Sequence, residues 1–441
     1  MEQLRPFSAN AVRCEVVIIE MFGGDNNLSH FVHEDLEEMA AGMRGNVVAI
    51  ALVDFSDGPA SVVEVSQETG IHTLEEWGEI DTGDPEVLAR FVSRALVTYP
   101  TSTSKMIGFW DHGTGVFDET DASEVLLARQ LASVGRSERS RSLPARRLFF
   151  PKAKLRSEPH TRAMLHDDTN GGVLTTLEAG KMLKAALGRA NQSKVDVIFS
   201  DTCLNAMIEV LEELGPHSRC FIASSDLEPG DGWNYASWLA SIEGRVPGDA
   251  LEWGRCAVDA FYEEYRAKPS QHPCTLGAFS TGNGITDAFG KLVAAARSQG
   301  AAGFYALDRA RSRTLNFANR DSYDLADFAS LVMRATSDSG LRAAAGNLAA
   351  ACEQACVSAK FLGSPEFVRK CHGLAFWFPS SRNALMRDVG TYERLTFAAR
   401  TGWADYLKDC YQADLEPDIP LHSLPQDATH GEGEAPVGHH V

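Results

Sequence analysis

The sequence predicts an α/β protein built on a mostly parallel central sheet with helices on both faces. Three observations carry this. Short runs dense in β-branched and aromatic residues, such as VVAIALVDF over 47–55 and VDVIF over 195–199, match strands whose side chains meet apolar neighbours on both faces. In the first 115 residues such runs alternate with stretches of helical period, the pattern of a parallel sheet. Between residues 195 and 214 the apolar period changes from strand to helix at one point, Cys203. Beyond it Leu204, Met207, Ile208 and Leu211 recur at helical spacing, with Glu209, Glu212 and Glu213 on the other face.

In order, Val12 to Phe22 read as the first strand and lead through GGDNN into a helix from about Leu28 to Met43. Asp25, Asn26 and Asn27 have the short polar side chains that satisfy a helix start. Asn46 to Phe55 read as a second strand, and the alternation in SVVEVS marks a hairpin or edge region. A helix from Pro85 to about Val97 follows, with Asp84 as its cap. Lys105 to Asp111 form another hydrophobic strand, ending in Asp111, His112 and Gly113. After turns over 166–176, Leu177 to Leu187 read as a helix before the strand that ends at Cys203. Cys220 to Ser225 read as the next strand, opening into the glycine- and proline-bearing loop DLEPGDGWNY. Trp238 to Ile242 and Asp249 to Tyr265 read as helices and TLGAFST over 275–281 as a strand. Ile285 to about Lys360 is largely helical in pattern, Gly373 to Phe378 reads as a late strand, and 392–408 as a last helix. From about Asp414 the chain is rich in Pro, His, Gly and acid and reads as disordered. Its His430, His439 and His440 stand without the Cys or carboxylate cluster of a metal site.

An apolar fraction of 44% over 441 residues is ample for a large core, and a net charge of -19 argues against a general nucleic-acid binder. The nine cysteines are scattered, apart from Cys352 and Cys356 on a predicted helix, and fit neither a disulfide framework nor a zinc ribbon, so a reducing compartment is expected. The start shows no basic segment followed by a long apolar run. The expectation is therefore a cytoplasmic protein without signal peptide or membrane span.

Cys203 and His112 are the chemistry-bearing residues. Ligands and reacting groups collect at the carboxyl edge of an open α/β sheet. A cysteine at a helix N-terminus there has its thiolate favoured by the helix dipole. A lone buried cysteine is ordinarily an inert small residue. Here a second strand end carries a histidine, so a thiol nucleophile and its base come from separate places in the chain and meet in the fold. Gly113 allows close backbone approach, which makes its N–H and that of Cys203 the candidate oxyanion donors. Asp201 lies two residues before Cys203 and shares its face of the strand. Its two readings are a helix cap and the floor of a pocket for a basic side chain, since carboxylate pairs with guanidinium through two parallel bonds. Asp226 and Glu228 are weaker pocket members, and Asp111 reads as structural rather than as an orienter of the histidine.

These residues carry a family likeness. FWDHGTGV around His112, FSDTCLNAMIEV around Cys203 and the following IASSDLEPGDGWNY resemble the core motifs of the clostripain family of cysteine peptidases, within the caspase-like group of folds. MFGGDNNLSHFVHEDLEEM, SYDLADFASLV, HGLAFWFP and YERLTFAARTGWADYL resemble further family blocks, so the likeness spans most of 15–410. It implies a caspase-like three-layer sandwich and a Cys-His dyad of Cys203 and His112. It also implies a pocket lined by Asp201 and Asp231 and cleavage after Arg or Lys of a protein or peptide substrate. A supporting role near the site for the Asp25 to Asn27 block follows from the same likeness. No cofactor is required by this chemistry. Family members often respond to calcium, which acidic loops here permit without any EF-hand spacing. Catalysis lost from the same scaffold, leaving a binding or signalling module, is the alternative, and the intact His112 and Cys203 motifs argue against it.

The expected organisation is a first part of the core over 1–115, a basic loop over 116–165, a second part over 166–300, a helical C-terminal region over 301–413 packed on the core, and a tail over 414–441. The loop crowds Arg136, Arg139, Arg141, Arg146, Arg147, Lys152, Lys154 and Arg156 into a Ser- and Pro-rich stretch of an otherwise acidic chain. Lying between the histidine and cysteine strands, it reads as an activation linker cut by the enzyme itself or by an upstream protease, in a zymogen suited to a bacterial signalling or defence cascade.

Overall fold

The computed structural model describes residues 4–11, 14–116, 164–245, 249–268, 273–319 and 321–412. The basic loop with its cleavage candidates Arg136 to Arg156, and the tail with its three histidines, lie outside the described residues.

Thirteen strands occur in the described chain: β1 (Val16–Gly24), β2 (Val47–Phe55), β3 (Gly58–Ser66), β4 (Gly70–Gly78), β5 (Ser104–Trp110), β6 (Leu165–His166), β7 (Val173–Leu174), β8 (Val197–Asp201), β9 (Cys220–Ala223), β10 (Cys274–Ser280), β11 (Ser322–Asp324), β12 (Cys356–Leu362) and β13 (Ala375–Trp377). Nine of them form one sheet in the order β12-β10-β9-β8-β5-β1-β2-β3-β4. The middle strands β9, β8, β5, β1 and β2 run parallel, while β3 with β4 and β10 with β12 add antiparallel edges. From β1 the chain goes to β2 on one side and to β5 on the other. The strand order therefore reverses at β1, which opens a crevice at the carboxyl ends of β1 and β5.

Alternate residues of each central strand feed two apolar layers. Val17, Ile19 and Met21 join one core together with α2 (Pro85–Thr98), α3 (Thr176–Arg189), α4 (Ile208–Leu214) and the helices of the C-terminal third. Val16, Ile18 and Phe22 join the other, with α1 (Ser29–Gly42), which follows β1, and with α5 (Tyr235–Ile242) and α6 (Ala250–Arg266). This is the three-layer sandwich, helices over both faces of a mostly parallel sheet. Asp84 caps α2 by accepting from the Glu86 amide, as its position before Pro85 implies.

The fold departs from the sequence reading at three places. The helix expected directly after Cys203 begins only at Ile208. Leu204 takes a left-handed φ of 64°, and the next amides bond sideways, Leu204 N–H to Asp226 O at 3.2 Å and Ala206 N–H to Ser224 O at 2.8 Å. The helical spacing of 204–211 was set by packing around a bend. Cys356 begins edge strand β12 instead of continuing a helix with Cys352, because residues 356–362 find a partner in β10. The 301–413 region thus lends a strand to the central sheet. The last helix is split at Gly402, whose φ of 65° ends Thr396–Thr401 before Trp403–Gln412 begins. Among the described residues no helix is long and apolar enough to cross a membrane.

Candidate active site

Strands β5 and β8 are parallel neighbours with Trp110 opposite Asp201, so His112 and Cys203 each stand two residues beyond the same rung. The Asp111 amide donates to Asp201 O at 3.4 Å, continuing the ladder past the strand ends. A side chain at Gly113 would run into the carbonyl oxygen of Cys203 and the side chain of Thr202. The two corners are therefore in backbone contact, and only glycine permits it.

His112 is buried, and its Nε2 lies 3.0 Å from Asn27 Oδ1. A neutral ring that donates there keeps its lone pair on Nδ1. Burial, with the neighbouring His166 ring 6.3 Å away, lowers the imidazole to about 3. Asp111 does not orient the ring. Its carboxylate accepts from Asn26 Nδ2 at 2.9 Å and from the amides of His112 and His166, both at 2.5 Å, and so ties three segments together behind the histidine. Burial pushes it up to about 7.

Cys203 lies in the turn beyond the end of β8, and because the next helix begins only at Ile208 it has no helix dipole at its back. Its sulfur accepts from the Glu228 amide at 3.2 Å. Burial, then the neighbouring Glu228 carboxyl, push the thiol far above its ordinary range. In this arrangement the pair is a neutral thiol and a neutral imidazole, both covered.

Beside Cys203 lie the buried Glu228 and Asp201, and next to Asp201 come the buried Glu20 and Asp35. Asp201 Oδ2 accepts from Tyr235 Oη at 3.0 Å and from the Trp233 amide at 3.4 Å, so it caps no helix. Glu228 lies within hydrogen-bonding reach of Asp201. Burial holds Glu228 well above the carboxylate range and Asp201 only at about 6, so Glu228 is the protonated donor and Asp201 the ionised acceptor. Glu20 is raised by burial, then by Asp201 and Asp35. Asp35 accepts from Trp110 Nε1 at 2.6 Å and is raised by burial and by Asp201. Gly108 makes room for the Glu20 carboxylate, which any side chain there would strike. Asp231 points outward, half-exposed, 3.8 Å from Lys268 Nζ, and the structure does not bring it to this group. The next residue, Gly232, closes over Asp201: a Cβ there would stand 3.5 Å from Oδ2. Asp226 bonds the Leu227 and Ala318 amides and is a loop-builder.

Glu20 and Asp35 escaped sequence reasoning, although both left a signal. Glu20 is the one acid inside the apolar run of β1, and Asp35 falls on the buried face of its helix with Val32, Leu36 and Met39. Asn27 reads as a turn residue until the fold sets it against His112.

A thiol and an imidazole on adjacent strand ends of a three-layer α/β sandwich are the working parts of a caspase-like cysteine peptidase. Residues 21–130 and 152–409 match the sequence model of the clostripain family, and the chain belongs to that family of cysteine peptidases. Among solved structures it is similar to a secreted C11 cysteine protease from Bacteroides thetaiotaomicron bound to an irreversible peptide inhibitor, at 15% identity and a TM-score of 0.61 over 88% of this chain and 99% of that one. It is equally similar to an inactive zymogen C11 protease from Parabacteroides distasonis, at 15% identity and 0.61 over 89% and 99%. At these identities the likeness is one of fold. No curated protein sequence matches the chain.

Proposed function

We propose that this peptidase cuts protein or peptide chains after arginine, with lysine second, using Cys203 and His112. The observation that carries this reading is the acid group beside the sulfur. Asp201 is ionised there, and Glu20, Asp35 and Glu228 crowd it. A guanidinium entering that space gains paired, charge-assisted bonds to the ionised Asp201.

In the reaction the Cys203 proton passes to His112 while the sulfur attacks the carbonyl carbon, and the amides of Gly113 and Cys203 receive the oxyanion. The imidazolium then protonates the leaving amine. Water, deprotonated by His112, releases the acid product and restores the thiol.

The covered thiol, the low imidazole and Gly232 closed over Asp201 suit a restrained precursor. Cutting within the basic segment, by the enzyme or an upstream protease, would free the loop over 228–233 and admit the substrate side chain. The solved zymogen relative makes such a state familiar in the fold. All nine cysteines are unpaired, which fits a reducing, cytoplasmic setting such as a signalling or defence cascade.

The test is hydrolysis of fluorogenic Arg-, Lys- and Ala-amide peptides by the cut chain and by Cys203→Ala. Arg above Lys, Ala near background, and no turnover by Cys203→Ala are expected. No turnover by the unaltered cut chain would favour an inactive binding scaffold.

A further inference from the structure

We propose that Asp25, Asp54 and Asp167 form a site for a hard divalent cation, calcium in preference to magnesium, behind the histidine corner. Asp25 follows β1, Asp54 is the last residue but one of β2, and Asp167 follows β6. All three are buried, and each offers a carboxylate oxygen, these atoms lying within 4.8 Å of one another. Oxygens on a shared calcium at about 2.4 Å span up to roughly that separation.

Proximity of acids alone would mean little. The second observation is Asp54, which has no exposed surface and neither of whose carboxylate oxygens has a hydrogen-bond partner among the described residues. The charges acting on it come from Asp167, Asp25, Glu79 and Asp81, all of its own sign. A buried carboxylate with no donor and only acids around it is expensive, and a cation removes the expense. The other two ligands are already aimed. Asp25 Oδ2 accepts from the Thr169 amide at 3.2 Å, and the Asp167 oxygens accept from Thr82 N at 3.1 Å and Asn170 N at 2.7 Å. Each of those carboxylates is thereby oriented and keeps lone pairs for an ion. Calcium accepts several carboxylates in irregular geometry, whereas magnesium keeps its waters and takes one or two, which decides between them.

The site has a consequence for His112. Asp25 adjoins Asn26 and Asn27, which bond Asp111 and His112, and Asp167 adjoins His166, whose amide bonds Asp111. An ion there pins both segments that seat the imidazole.

The full chain is stripped with a chelator, then unfolded thermally with calcium chloride or magnesium chloride added. Calcium is expected to raise the midpoint by roughly 4 °C at about a hundredfold above its Kd, and magnesium by less. Asp54→Asn is expected to abolish that rise. No calcium rise in the unaltered chain, as when a basic side chain of the protein fills the place, overturns the proposal, and so does an equal rise in Asp54→Asn. A magnesium rise equal to that of calcium overturns the preference. If Asp54→Asn does not fold, terbium luminescence on the unaltered chain and on Asp167→Asn decides. Terbium bound and displaced by calcium in the former, and weakened at least tenfold in the latter, supports the site, and any other result overturns it.

Discussion

At the scale of single residues, His112 and Asp201 are both set by burial, and burial drives them in opposite directions. The imidazole falls from its ordinary 6.5 to about 3, so the folded protein resists a proton that the unfolded chain accepts. The stability this contributes is complete above pH 6.5 and is lost as pH falls toward 3. Replacing His112 with Gln should therefore flatten acid destabilisation. Between pH 6.5 and 5 the unaltered protein should lose about 2 kcal/mol relative to His112→Gln, measured by urea unfolding at each pH. The raised acids Asp111, at about 7, and Asp201, at about 6, act in the contrary sense. The folded state takes up their protons first, so they favour folding as pH falls through those values, in both proteins alike. For Asp201 the further expectation concerns catalysis. Asp201→Asn keeps the shape and removes the charge, and kcat/KM for Arg-amide substrates should fall about 100-fold or more while the unfolding midpoint holds or rises, because a charge buried at a cost is removed. A fall in the midpoint with unchanged selectivity would mean a structural carboxylate.

At the scale of elements, the site is a contact between two strand ends, and its tightest point is glycine. Gly113→Ala would force a methyl group into Cys203 O. Separating the corners should cost about 2–3 kcal/mol and abolish turnover, read by chemical unfolding and by Arg-amide hydrolysis. A fully active, equally stable variant would show that the two corners do not need to touch. The same crowding explains the bend at Leu204. Its amide and that of Ala206 are claimed by Asp226 and Ser224, and residues 204–207 cannot also turn as a helix. Cys203 consequently lacks dipole activation. In the proposed mechanism its thiolate forms by proton transfer to His112.

At the scale of the whole molecule, the sheet joins residues from both sides of the basic segment, since β5 precedes it and β8 follows it in chain order while the two are hydrogen-bonded neighbours. A cut there leaves the halves held by their shared core. Changing every Arg and Lys of 117–163 to Gln should leave a chain that folds, stays whole by intact mass and turns over Arg-amide at no more than a few per cent of the cut enzyme. Full activity of that uncut form would remove the activation step.

What the sequence determined by itself is local. Apolar runs marked the central strands and Asp84 marked the start of its helix, because each depends only on neighbours along the chain. The motifs around His112 and Cys203 carried the likeness to the family for the same reason. Tertiary structure decided what distant segments do to one another: that 356–362 becomes a strand beside β10, that Glu20, Asp35 and Glu228 gather around Asp201, and that Asp25, Asp54 and Asp167 converge from three separate stretches. No spacing encodes these, since burial and charge act through space and exist only once the sheet has brought its carboxyl ends together.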